Sequence, residues 1–263
     1  MYVAGNRQQR QWILMASKEQ KIMPTTEGSL NLRLNIAETI DGYPGQEHNH
    51  PIYPAFKDLI EFTAFSKKAY TPTLLVTYGG PWAENFYYST ENVNGDEKLN
   101  FFTPKNELES LTRRRNVGWF MEEEYTFPEL SEFVKDLVEA GGIAGVGSHG
   151  QLQGLGYHWE LWSMAAGGIS NHDMLKVSTI QGAYAIGLDK QLGSLEEGKL
   201  ADIVILGKDP LIDIRNTNSV EMVMKNGKLY DADNLDEIYP TKQKAKNFDW
   251  HEEYPNSLPG TKK

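Results

Sequence analysis

With no cysteine in 263 residues, proton transfer and metal ligation fall to six histidines and the carboxylates around them. Thiolate nucleophiles, thiolate metal sites and disulfides are excluded together. Three of the candidate groups close short runs that read as strands. Glu27 ends Ile22-Met23-Pro24-Thr25-Thr26-Glu27 just before Gly28, and His48 ends Gly45-Gln46-Glu47-His48. His149 sits in Gly147-Ser148-His149-Gly150, directly after an apolar run at 143–147. Sheets of parallel strands place their active sites at the carboxyl ends of those strands. Neutral imidazole nitrogen and carboxylate oxygen are the donors expected for Zn²⁺, at about 2.0–2.2 Å. Glu27, His48 and His149 are therefore the candidate metal ligands. His149 is equally able to be a general base, since a free imidazole titrates near pH ~6.5. The plain alternative is that each is a hydrogen-bonded polar residue at a strand end.

His158 follows Gly154-Leu155-Gly156-Tyr157 and opens the helix His158-Trp159-Glu160-Leu161-Trp162, so it either faces a cleft or simply begins the helix. It is the second catalytic candidate after His149. His172 lies inside the capping pattern Ser170-Asn171-His172-Asp173 and reads as a first-turn surface residue. His251 reads as solvated in a polar tail. Gly145-Val146-Gly147-Ser148-His149-Gly150 fits G-x-G-x-x-G, but a dinucleotide site needs a helix opening at the third glycine, and more glycines follow instead. Arg113-Arg114-Arg115 is balanced by Glu122-Glu123-Glu124, which favours two solvated faces over an anion site.

Positioning these groups takes alternating elements. Residues 6–20 and 29–41 have helical spacing, and so do residues 129–140, where Leu130, Phe133, Val134, Leu137 and Val138 share one side before Gly141-Gly142. Strands are expected at 22–27, 45–48, 70–77 and 143–147, and residues 81–104 read as a long ordered loop. Strand–helix alternation predicts an α/β fold with a parallel sheet. Four such units reach about residue 187, half of the eight that a (β/α)₈ barrel builds from ~250 residues. The alternative is a small doubly wound sheet. Beyond 190 the texture becomes β-rich: strands at 201–206 and 220–225, then Asn226-Gly227, a strong hairpin signal. The expected domains are a partial barrel over 1–190, a small β-sandwich segment over 191–232 and a polar tail over 233–263.

A net charge of −10, from 26 basic against 36 acidic side chains, argues against a nucleic-acid partner. No apolar run approaches the ~20 residues of a membrane span. The opening MYVAGNRQQRQW lacks the apolar core of a secretion signal, which makes a cytoplasmic location the default, although a longer parent could be exported.

The stretch Gly187-Leu188-Asp189 followed by Leu192-Gly193-Ser194-Leu195-Glu196-Glu197-Gly198-Lys199-Leu200-Ala201-Asp202-Ile203-Val204-Ile205-Leu206 closely resembles the carboxyl-terminal segment of the metal-dependent amidohydrolase superfamily. Asp209-Pro210-Leu211 and Val223-Met224-Lys225-Asn226-Gly227-Lys228-Leu229-Tyr230 continue the resemblance. Gln46-Glu47-His48-Asn49 resembles the family's sixth-strand element, whose His binds metal, and Thr71-Pro72-Thr73-Leu74 its seventh-strand element. Residues 147–161 look like the variant found in imidazolonepropionase-like members that carry a TolB-like propeller upstream. The resemblance spans roughly residues 6–232. It implies the last four βα units of a (β/α)₈ TIM barrel with part of a small β-sandwich, and hydrolysis of an amide or cyclic amide C–N bond. The implied cofactor is a divalent metal, with zinc expected.

The departures are equally informative. The family's first-strand H-x-H pair is absent, its fourth-strand Lys would precede Met1, Glu27 stands where the fifth strand usually ends in His, and Gly147-Ser148-His149 replaces Gly-Thr-Asp. The expectation is a carboxyl-terminal fragment with an incomplete metal site, impaired alone. It should bind a small-molecule substrate, and associate with itself or with a missing amino-terminal half. Rival readings are a ligand-binding domain without catalysis, prolidase-like dipeptide hydrolysis in an intact parent, and a small open-sheet hydrolase using His149 with Ser148 or Glu27.

Overall fold

The computed structural model describes residues 5–76, 80–113 and 120–251. Helix α1 (Arg7–Gln20) starts on a reciprocal cap. The Asn6 side chain accepts the Gln9 N–H at 3.0 Å, and the Gln9 side chain accepts the Asn6 N–H at 2.8 Å. This satisfies two donors that a helix start otherwise leaves orphaned.

Four short strands then build a parallel sheet: β1 (Thr26–Glu27), β2 (Gly45–Glu47), β3 (Ala69–Thr71) and β4 (Ile143–Ala144), in the order β1-β2-β3-β4. Helices α2 (Leu32–Asp41) and α3 (Lys57–Ser66) make the first two crossovers. The third is longer and holds α4 (Ala83–Thr90), α5 (Glu97–Phe102), α6 (Lys105–Arg113) and α7 (Phe127–Glu139). A doubly wound sheet reverses its strand order at a switch point. These four strands run in sequence without reversal, so the doubly wound alternative fails.

The register assigns the faces. Thr26, Gln46, Tyr70 and Ala144 form one row, and Glu27, Glu47 and Thr71 the next. Tyr70 and Ala144 are buried in the main core with Phe133, Val134 and Leu137 of α7, so their row faces the helices. The Tyr70 and Phe133 rings meet edge-on at 4.9 Å. Alternation along a strand then turns Glu27, Glu47 and Thr71 to the opposite face, away from the helical layer.

Helix α8 (Leu155–Ala165) packs on α7. Its Trp159 is fully buried and stacks on Tyr87 of α4 at 5.2 Å. The expected loop over 81–104 is thus largely helical. Its aromatic residues are weak helix formers in isolation, but Tyr87 finds Trp159 and Phe127 to pack against, and tertiary burial overrides propensity.

Helix α9 (Asn171–Lys176), a π-helical turn (Val177–Gln181) and α10 (Gly182–Ala185) follow. Ser170 caps α9 by accepting the Asp173 N–H at 3.1 Å, as its sequence pattern predicts. Gln181 accepts the Ala144 N–H at 2.9 Å, covering part of the outer edge of β4.

The second sheet is antiparallel: β5 (Ile203–Leu206), β6 (Val220–Lys225), β7 (Lys228–Asp231) and β8 (Glu237–Tyr239), in that order. Asn226 and Gly227 both take positive φ, 49° and 78°, as a tight hairpin turn demands. The expected boundary at 232 is too early, because β8 comes from the segment read as a polar tail. Leu229 and Tyr230 of β7 pair with Tyr239 and Glu237. His251 is likewise not solvated: its Nε2 lies 2.7 Å from the Phe101 carbonyl and its ring 4.3 Å from the Phe101 ring. Among the described residues no helix is long and apolar enough to cross a membrane.

Candidate functional site

The carboxyl ends of β1, β2 and β3 and the segment after β4 bring the predicted residues together. His48 is the hub. Its Nε2 lies 3.3 Å from Glu27 Oε1, and its ring centroid 5.5 Å from that of His149. Its Nδ1 meets the Thr73 hydroxyl. Burial holds the His48 pKa below the ordinary imidazole value, against the opposing pull of Glu27 and reinforced by His149. The ring is therefore neutral near pH ~7, the form that can offer a lone pair.

Three non-glycine residues here have left-handed backbone: His48 (φ 69°), Thr73 (φ 52°) and His149 (φ 51°). Such conformations cost on the order of 1–3 kcal/mol each and cluster at functional sites. Those at His48 and Thr73 stop the strands expected at 45–48 and 70–77 early; β4 is also shorter than the expected 143–147. Each chain leaves the sheet as it delivers its side chain.

Gly28 permits the closest approach. Its N–H donates to the Glu47 carbonyl at 2.5 Å, and a Cβ placed on it would lie 2.6 Å from the same oxygen. Gly28→Ala is expected to push the end of β1 off β2, at a cost of about 1–3 kcal/mol in urea denaturation, the usual penalty for overpacking.

Glu47 joins the candidate site although the sequence does not single it out. Its carboxylate accepts from Thr25 Oγ1 at 2.6 Å and from Thr71 Oγ1. It occupies the same row as Glu27. Period-two alternation from Glu27 across the register was the signal that could have found it.

Glu27 Oε2 is buried without a hydrogen-bond partner. A buried carboxylate oxygen left unpaired is costly, on the order of 1–3 kcal/mol or more. A cation between Glu27 and His48 would satisfy it, so these two residues fit part of a metal's ligand set. They do not make a complete one: among the described residues no three His, Asp or Glu side chains form a metal-binding group.

Two buried carboxylates hold the surrounding loops by their backbone. Glu160 of α8 accepts the Leu74 and Leu75 N–H groups at 2.7 and 2.9 Å. Glu84 of α4 accepts the Gln151 N–H at 2.6 Å, two residues past His149. Burial pushes the Glu160 carboxyl up to about 8, while the two amide bonds pull it back.

His158 is placed differently. Its Nδ1 lies 3.2 Å from Thr217 Oγ1, and it lines a cleft of about 570 Å³ with Lys98, Phe102, Gln151 and Trp250. Burial, aided by Lys98, lowers its pKa to about 4. Its proton is therefore absent from the folded state but present on the unfolded chain below pH ~6.5, so acid costs stability through His158 between about pH 6.5 and 4. A His158→Gln variant is expected to lose less stability than the parent when urea denaturation is moved from about pH 7 to about pH 5.

The remaining candidates carry no chemistry of this kind. His50 is buried, stacked on Tyr70 at 5.3 Å, with a pKa held near 3 by burial and by Lys68. His172 is exposed beside Asp173. Ser148 Oγ accepts the Gly150 N–H at 3.1 Å in a local turn. Helix α8 opens at Leu155, five residues beyond Gly150, which is not the arrangement of a dinucleotide site. The side chains of Arg113-Arg114-Arg115 lie outside the described residues.

Comparison with known proteins bears on the fold and on the carboxyl-terminal segment. An amidohydrolase family profile matches residues 131–230. Imidazolonepropionase of Treponema denticola is 48% identical over 59 residues, which is 21% of this chain and 14% of that protein. The 5-methylthioadenosine/S-adenosylhomocysteine deaminase of Teredinibacter turnerae is 41% identical over 61 residues, 23% of this chain and 14% of that protein. Among solved structures, a Xaa-Pro dipeptidase with bound methionine superposes with a TM-score of 0.59 at 19% identity, over 86% of this chain and 49% of that one. The A. niger ochratoxinase gives 0.61 at 19% identity, over 88% and 46%. The chain thus spans about half the length of these solved structures, which share its α/β fold with a parallel sheet. The family likeness of this chain is thus carried by residues 131–230, which match the amidohydrolase family model.

Proposed function

We propose that the chain belongs to a metal-dependent hydrolase that cleaves a C–N bond of a small-molecule amide or cyclic amide. The observation that carries this reading is the meeting of Glu27, His48 and His149 at carboxyl strand ends, with a buried Glu27 oxygen left unpaired. Glu27 and His48 would hold a divalent cation, zinc being the ion that suits imidazole and carboxylate donors. Such an ion supplies an activated water and a polarised carbonyl. His149, beside His48, is the residue to hold or pass the proton that the departing amine needs. The family match supports the reaction class, and the departures from the family pattern support a share of the ligands coming from other polypeptide.

In the same reading, the four parallel strands are half of a barrel. The row of Glu27, Glu47 and Thr71 would face its interior. Apolar residues near β1 stand exposed, Ile22 by 63% and Met23 by 48%, and would be covered by the complementing strands or a second copy.

The test is hydrolysis of a panel of acyl amides, cyclic amides and an Xaa-Pro dipeptide. The chain is assayed with Zn²⁺, alone and mixed with a polypeptide supplying four amino-terminal βα units. Zinc-dependent turnover of an amide that appears only in the mixture is the expected result. Turnover of the dipeptide alone would move the reading to prolidase-like hydrolysis. Ligand binding with no turnover in either sample would replace it with a binding domain.

A further inference from the structure

We propose that Glu160, which touches none of the candidate ligands, is a positioning residue that sets the orientation and tautomer of His48 through the turn beginning at Thr73. The inference rests on the reading of His48 as a ligand, and its test separates the two.

The chain of contacts is short and specific. Glu160 is fully buried in α8, and its two oxygens each take one backbone N–H, from Leu74 and from Leu75. Those amides open the 3-10 turn Leu74–Val76, where a helical start leaves donors without internal partners. A carboxylate taking both is a charge-assisted pair of bonds. It pins the backbone immediately after Thr73, whose φ of 52° only a constrained neighbourhood sustains. Held there, the Thr73 hydroxyl faces His48 Nδ1, and Nε2 is left turned toward Glu27.

The partner of one ring nitrogen decides what the other can do. A hydroxyl is suited to this place because it both donates and accepts. When Thr73 donates to Nδ1, the proton of His48 resides on Nε2 and points to Glu27. When Thr73 accepts, the proton resides on Nδ1 and Nε2 presents its lone pair. The hydroxyl can serve either form only while the turn stays in place. Packing would be served equally by an apolar side chain at 160. Two amides converging on two oxygens are what an apolar side chain cannot supply.

The experiment is ¹⁵N–¹H correlation NMR of the histidine rings in the metal-free, full chain at one pH above about 8, where the Glu160 carboxyl is ionised. Glu160→Gln replaces one acceptor by an NH₂ group that opposes an amide N–H. It is expected to displace the His48 Nδ1 and Nε2 resonances and change their tautomer pattern. Glu160→Asp, shorter by one methylene, should shift the same two signals by less, and Thr73→Val should shift them at least as much. Ser163→Ala, in the same buried stretch of α8, should leave them in place. His48 signals that stay unmoved in a folded Glu160→Asp or Thr73→Val variant would overturn the proposal. So would signals that move as far in Ser163→Ala, since the effect would then be general loosening. A parallel Zn²⁺ titration reads the other question. Wild-type chain that ignores zinc even when mixed with a polypeptide supplying four amino-terminal βα units sinks His48 as a metal ligand, whereas the metal-free spectra alone decide the role of Glu160.

Discussion

His48→Ala is expected to weaken Zn²⁺ binding by this chain by at least about 100-fold in calorimetric titration, since loss of an outer-shell partner alone typically costs 10–100-fold. The effect should be the largest of any substitution in the candidate site, because His48 meets Glu27, Thr73 and the His149 ring together. Glu27→Gln should weaken binding as well. It removes the charge that an approaching cation would neutralise, while leaving a side chain of the same shape. The two variants differ in what they do without metal. Glu27→Gln replaces the buried, unpartnered carboxylate by an uncharged amide, which costs less to bury, so the variant should unfold at equal or higher urea than the parent. Such opposed changes, weaker zinc and equal or greater stability, identify a residue kept for chemistry at the expense of the fold. Unchanged zinc affinity in both variants would mean that these strand ends are structural.

Trp159→Ala is expected to cost about 3–5 kcal/mol, the range found when a large buried aromatic is removed from a core. Trp159 is fully buried, stacked on Tyr87 and met edge-on by Tyr88, both at 5.2 Å. It joins α8 to the long crossover between β3 and β4, so the hole would open at the centre rather than at a margin. Against a typical total of about 5–15 kcal/mol, this loss removes a large fraction of the stability. Thermal unfolding followed by circular dichroism should show a fall of about 10 °C or more at this chain length. A fall of only one or two degrees would mean that α4 and α8 collapse to fill the space. Because Glu160 is the next residue, the variant should also loosen the turn at Thr73.

The meeting of the candidate residues was more legible in the sequence than the long crossover beside them. Glu27, His48 and His149 could be found because polar residues closing short apolar runs are unusual, and parallel strands send their ends to one side. His158 obeyed a weaker rule, a histidine at a helix start, and the structure gives it a separate cleft. The helices over 83–90 and 97–102 were hidden because Asn, Tyr and Phe carry little helical preference of their own. Packing against residues distant in sequence makes that segment coil, with Trp159 and Phe127 on Tyr87, and Phe248 on Phe101 and Phe102. The fourth strand of the second sheet was hidden for a related reason. Glu237-Ile238-Tyr239 is too short and polar to declare itself, and its pairing with β7 defines it.

By itself the sequence determined the chemistry available to this protein: imidazole and carboxylate without thiol, set at the ends of alternating βα units, with amidohydrolase-like segments behind them. Those properties are local, carried by residue type and by spacing along a strand or helix. Only the tertiary structure decided which groups meet. The Glu27–His48 contact, the left-handed turns at His48, Thr73 and His149, and the buried carboxylates of Glu84 and Glu160 that brace the loops all depend on segments 21 to 101 residues apart. The physical reason is that a buried charge or a strained φ is unfavourable in any isolated segment. It persists only where packing from elsewhere in the chain supplies the partners and the energy to hold it.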